Sequence, residues 1–154
     1  MSVVSLRKIL DQLDLLTDQG TLYVNRATGE VYVVTDDDIS AAESEDTEWV
    51  PEWQKDELPK IREILSSEDW LELATKFDIH EYAIMERFCL SVEPVERSDR
   101  LIDAIKGRGA FRRFKDAIHR MGIADDWYRF RDQALAEFAT DCLEAQGIPF
   151  KNDL

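Results

Sequence analysis

The stretch Lys106–Lys115, KGRGAFRRFK, is the part of this chain best suited to hold an anion. Gly107 and Gly109 precede a run of helical periodicity, so a helix N-terminus should fall just behind them. Such an end leaves four backbone N–H groups without intrahelical partners. Those groups, with the helix dipole, attract phosphate and carboxylate. Arg108, Arg112, Arg113 and Lys115 crowd this end, and Arg129 and Arg131 follow in WYRFRD. Guanidinium groups grip phosphate and carboxylate in bidentate fashion. These six side chains form the candidate binding set, for an anion or an acidic partner. The pattern is neither GxGxxG behind a strand nor a Walker loop, so it is no nucleotide signature.

An internal role competes with that reading and takes precedence over it. Cations at a helix N-terminus oppose the dipole by about 0.3–1 kcal/mol each. Something negative should offset them, and neighbouring Asp or Glu side chains would serve.

Charge is unevenly distributed. Lys106–Arg131 holds eight of the nineteen Lys and Arg residues and only three acids, Asp116, Asp125 and Asp126. The other residues carry 11 bases and 30 acids, and the whole chain is at −14. Such a charge repels nucleic acid at long range, yet leaves local contact with a phosphate open. Residues Asp36–Glu57 contain ten acids and one base, Lys55. Their first part, DDDISAAESEDTE, has few large apolar groups and reads as a mobile acidic loop around residues 36–50. An EF-hand register fails there: the turn position is Ala41 and the closing position Thr47. The same acids could mimic nucleic-acid phosphates toward a basic protein.

Other chemistries find little support. His80-Glu81 opens like a zincin motif, but position 84 is Ile84. His119 has no second histidine nearby in sequence. Cys89 and Cys142 sit in no CxxC pattern and read as buried free thiols. No catalytic triad or cofactor motif has recognisable local context. Phe111 and Phe114 resemble RNA-stacking residues, but their spacing with Ile118 and Met121 assigns them to a core stripe. Trp127, Tyr128 and Phe130 cannot all face inward, so Tyr128 or Phe130 should be partly exposed.

The elements that must position these groups follow from periodicity. Leu6, Ile9, Leu10, Leu13 and Leu16 predict a helix over Ser5–Leu16. TLYVN and EVYVV around Ala27-Thr28-Gly29 predict a hairpin with Gly29 left-handed. A helix is expected from Pro51 or Glu52 through Leu65, interrupted at Pro59. DWLELATKF fits a strand or a helix equally. Asp78 and Glu81 suggest a capping box for the helix carrying Tyr82, Met85, Cys89 and Val92. Further helices are expected around Leu101–Ile105, from Phe111 to Gly122, and from Asp125 or Asp126 to about Ala145. Gly107 or Gly109 should adopt positive φ.

GRGAFRRFKD, DDWYRFRD and the closing CLEAQGI resemble uncharacterised protein family 0158, a bacterial family. ATGEVYVV and HEYAIMERF fit the same pattern, and the resemblance runs from about Leu22 to Ile148. It implies a small soluble protein of unassigned biochemical role, and it makes WLEL a strand. It carries over no catalytic residue.

The expected class is α+β, mostly helical, with a small antiparallel sheet on an N-terminal hairpin packed against four or more helices. At 154 residues one domain is expected, with roughly 70% of the unfolded surface buried. No apolar run nears the ~20 residues of a membrane span, and no signal peptide is visible, so a cytoplasmic location is expected. The leading functional expectation is a non-enzymatic interaction or regulatory protein with a protein partner, no cofactor and no metal. Anion binding through 106–131, to nucleic acid or a phosphometabolite, is the alternative, and an acidic inhibitor the third.

Overall fold

The computed structural model describes residues 3–44 and 48–154. It is mostly helical with one small three-stranded antiparallel sheet, which is the expected class. Packing sorts the chain into two compact units. The first holds the described residues up to Ile79 together with Phe138–Leu154, and the second is His80–Glu137.

In the first unit, β1 (Val4–Ser5) leads into α1 (Leu6–Leu15). The expected stripe of Leu6, Ile9, Leu10 and Leu13 is buried. Ser5 caps the helix: its Oγ accepts from the Lys8 N–H at 3.2 Å. The same hydroxyl donates to Asp153 at 2.6 Å, and Asp153 also accepts from the Arg7 N–H at 2.9 Å. Parallel pairing of β1 with β5 (Phe150–Lys151) brings Asp153 to this helix end.

The hairpin forms as expected, from β2 (Gly20–Asn25) and β3 (Val31–Thr35). Asn25 Oδ1 accepts from the N–H groups of Ala27 and Thr28 and turns the chain. Gly29 has φ +78°, and a Cβ there would meet the Val3 carbonyl oxygen at 2.7 Å. β4 (Trp70–Thr75) pairs with β2 on its other edge, giving the order β3-β2-β4. WLEL is therefore a strand, as the family resemblance implied. A register shift beside Leu22 and Tyr23 leaves Leu73 without a residue opposite. One face of the sheet presents Tyr23, Tyr32, Val34 and Trp70, packed with Ile61 and Ile64. On the other face Leu22 and Val24 are fully buried.

Two boundaries differ from the sequence expectation, for one shared reason. Asp36–Glu43, expected as loop, is helix α2. Thr35 Oγ1 accepts from the Asp38 N–H at 3.1 Å, and the Asp38 carboxylate accepts from the Thr35 N–H at 3.0 Å. This capping box satisfies two orphan donors, and three acids in the first turn favour the dipole. The exit of β4 repeats the pattern. There Asp78 accepts from the Thr75 N–H at 2.9 Å and from its hydroxyl at 3.0 Å, at the start of α5 (Lys76–Ile79). Asp78 is thus not the N-cap of the following helix; α6 (Glu81–Ser91) starts behind His80, at φ +56°. Glu45, Asp46 and Thr47, part of the expected acidic loop and of the EF-hand register, lie outside the described residues.

The interruption expected at Pro59 falls just ahead of it, at Asp56 and Glu57. The chain forms α3 (Glu52–Lys55) and α4 (Leu58–Ser66), with the proline in the first turn of α4. Its missing N–H costs nothing there.

The second unit contains α6, α7 (Val95–Ala104), α8 (Ala110–Met121) and the beginning of α9 (Ala124–Ala145). Its centre is aromatic. Phe88, Phe114 and Trp127 meet edge to face, with centroids 6.0, 5.4 and 4.8 Å apart. Such pairs contribute about 0.5–1.5 kcal/mol beyond their area. The Ser98 hydroxyl donates to the Cys89 carbonyl at 2.7 Å and ties α7 to α6. One expectation fails: Phe114 and Ile118 are fully buried, but Phe111 is 40% exposed. It lies at the margin of the buried stripe and in the first turn of α8. Trp127 turns inward and Tyr128 outward, which resolves the aromatic trio.

Asp153 yields a testable consequence. Hydrogen bonding from Ser5 hydroxyl, then from the Arg7 N–H, lowers its carboxyl pKa below the usual value. A depressed folded pKa gives stability that is present above the unfolded value and lost as pH falls through the folded one. Asp153→Asn should therefore lower the melting temperature at pH 7. The gap from wild type should narrow as thermal melts are repeated toward the acid range.

Candidate anion-binding site

Helix α7 carries Arg97, Arg100 and Ala104 at i, i+3 and i+7. Helix α8 carries Arg113, Asp116, Ala117, Arg120 and Met121 at matching helical spacing. At 3.6 residues per turn each set forms one stripe. The two stripes line a single groove of about 530 Å³. Among the described residues two alanines keep it open, four guanidinium groups surround it, and Asp116 is its one acid. On α7 the acids Glu96, Asp99 and Asp103 repeat on an adjacent stripe, so the helix separates its charges by face.

Arg113 holds the groove together. Its Nε donates to the Ala104 carbonyl at 2.8 Å. Its two terminal nitrogens donate to the carbonyls of Arg108 and Lys106. Ala104 is the last residue of α7, whose final carbonyls have no intrahelical donors. The guanidinium thus staples the α7–α8 connection and meets the negative end of one helix dipole. This is the negative partner that the sequence demanded, but it is backbone carbonyl and not a carboxylate. Gly107 and Gly109 both take positive φ, +78° and +76°, as expected for at least one. A Cβ at Gly109 would stand 3.1 Å from the Arg113 Nη1, so glycine leaves room for the staple.

The six expected site residues do not gather in one place. Arg113 lines the groove. Arg108, Arg112 and Lys115 are exposed on other faces and enter no ion pair among the described residues. Arg129 pairs with Asp126 one turn away. Arg131 pairs with Glu81 at 2.9 Å, both partners partly buried. Internal pairing thus accounts for these two arginines. Arg97, Arg100 and Arg120 lie outside the set expected from sequence, and they too enter no ion pair among the described residues. Their i, i+3 and i, i+7 spacing was legible. What could not be read was that α7 and α8 lie side by side.

Other candidates recede. No group of three or more His, Cys, Asp or Glu among the described residues could hold a metal ion. Among them, no helix is long and apolar enough to cross a membrane. Burial pushes the Cys89 thiol up to about 11 and raises that of Cys142, so both stay protonated at neutral pH. Neither is then a ready nucleophile or ligand.

The family model described as Uncharacterised protein family (UPF0158) matches residues 2–154. No curated protein and no solved structure matches the chain.

The staple is testable without any ligand. Arg113→Lys keeps the charge but loses the fork, so it should lower stability nearly as much as Arg113→Ala, by roughly 1–2 kcal/mol. Gly109→Val should cost more than about 1 kcal/mol, since a β-branched residue tolerates positive φ poorly. Urea titrations of the three variants check both. A wild-type midpoint for Arg113→Lys would reduce the staple to a point charge.

Proposed function

We propose that this chain, which belongs to the uncharacterised protein family UPF0158, binds a compact phosphorylated ligand in the arginine groove between α7 and α8. One observation carries the reading: among the described residues, four guanidinium groups line one groove with a single carboxylate. Arg113 is already engaged with carbonyls, so Arg97, Arg100 and Arg120 are the groups available to grip phosphate. Asp116 can only accept hydrogen bonds when ionised. It suits a ligand that presents a donor beside its phosphate, such as a sugar hydroxyl or an amino group.

Magnitudes favour a small ligand over a nucleic-acid strand. At a net charge of −14 the protein repels an extended polyanion. A compact anion inside the groove feels the nearby guanidiniums first, because screening shortens the reach of the distant acids to about 10 Å at 0.1 M salt. The groove volume lies within the usual range for small-molecule sites, about 300–1,000 Å³. The interaction role expected from sequence does not conflict with this reading.

Thermal melts with pyrophosphate, nucleoside diphosphates and sugar phosphates test the proposal. A ligand at 100 times its Kd should stabilise the fold by about 2.7 kcal/mol. Arg97→Ala/Arg100→Ala/Arg120→Ala should melt like wild type without ligand and lose the response. No response to any of these phosphates at low salt would refute the proposal. So would tight salt-dependent binding of single-stranded nucleic acid that the triple variant retains.

A further inference from the structure

We infer that a second site, on the first unit, accepts an arginine side chain of a basic peptide, between Trp49 and Trp53. Trp49 is 56% exposed and Trp53 66%. They border a cavity of about 590 Å³ whose remaining wall includes Asp37, Asp38 and Glu57 and, among the described residues, no Lys or Arg.

Local packing fixes the two indoles outward. Between them Val50 is buried with Ala41 and Leu58. One residue after Trp53, Gln54 is buried and its Nε2 donates to Asp38 Oδ1 at 3.0 Å. Val50 and Gln54 thus act as two anchors, and the tryptophans beside them have nowhere to go but the cavity rim. Large apolar side chains left exposed around a concave surface commonly mark a binding site.

The chemistry selects a cation. Aromatic faces attract positive charge, tryptophan most strongly. Asp38 is already committed to Thr35 and Gln54. Asp37 and Glu57 enter no ion pair among the described residues and remain as acceptors. A guanidinium fits better than an ammonium, because it is planar, stacks on indole and offers a fork to carboxylate. A peptide fits better than a free amino acid, because Asp36, Glu48, Glu52 and Asp56 lie close in sequence and extend the negative field beyond one charge. This inference is independent of the arginine groove, which uses other residues on the other unit.

Acetylated octa-arginine and octa-lysine are suitable probes of the full chain. Octa-arginine should move the indole N–H resonances of Trp49 and Trp53 and leave that of buried Trp127 in place. It should bind more tightly than octa-lysine. Trp49→Ala/Trp53→Ala should melt like wild type and bind octa-arginine at least about tenfold more weakly. Equal binding of the two peptides, or unshifted indole resonances on bound wild type, would overturn the inference. Undiminished binding by the double variant would do the same, leaving only diffuse attraction by the acidic surface. If the double variant fails to fold, the resonance map on wild type decides alone.

Discussion

A helix that ends must give its last carbonyls a donor, and the second unit depends on how that demand is met. Arg113 reaches back from α8 to the carbonyls of Ala104, Lys106 and Arg108. The connection between α7 and α8 could otherwise adopt many paths, since two of its residues are glycines at positive φ. Once the fork is engaged, the arginine stripe of α7 and that of α8 must share one groove. The same contact removes one cation from competition for a ligand. A charge that looks functional in sequence proves to be the clamp, and its quieter neighbours become the candidate site.

The first unit solves the complementary problem at helix starts. Thr35 with Asp38, and Thr75 with Asp78, close the step from strand to helix at two exits of the same sheet. In each case a short acidic side chain returns to the backbone of the threonine. Acid content that seems excessive by composition is therefore partly architectural. Asp38 goes further: its second oxygen receives Gln54 and ties α2 to α3. Asp36 and Asp37, beside it in the first turn of α2, stay exposed as surface charge.

Periodicity made much of the fold legible. The α1 stripe, the hairpin with its left-handed Gly29, the positive φ at the α8 entry and the Gly122 stop follow from local physics that a short window contains. The failures share a cause as well. Asp36–Glu43 reads as loop by composition, yet position within the first turn turns its acids into helix-starting groups. Phe111 was assigned to the core by spacing, yet a stripe narrows toward a helix end. The candidate site was half legible. Its arginines could be counted and their spacing measured, but the neighbour that turns one stripe into a groove is a tertiary fact. WLEL was undecidable by pattern alone, and only the likeness to a family pointed to a strand.

The four tryptophans give the molecule an optical consequence. Trp70 is buried in the first unit, with the Lys60 ammonium 4.9 Å from its ring centroid. Trp127 is buried at the aromatic centre of the second. Trp49 and Trp53 face solvent. Intrinsic emission should thus combine a short-wavelength pair with a long-wavelength pair, and each unit owns one member of the buried set. Removing Trp70 or Trp127 in turn would give each unit its own colour during unfolding. Whether the two cores melt together or apart is then written in the spectrum itself, without any label.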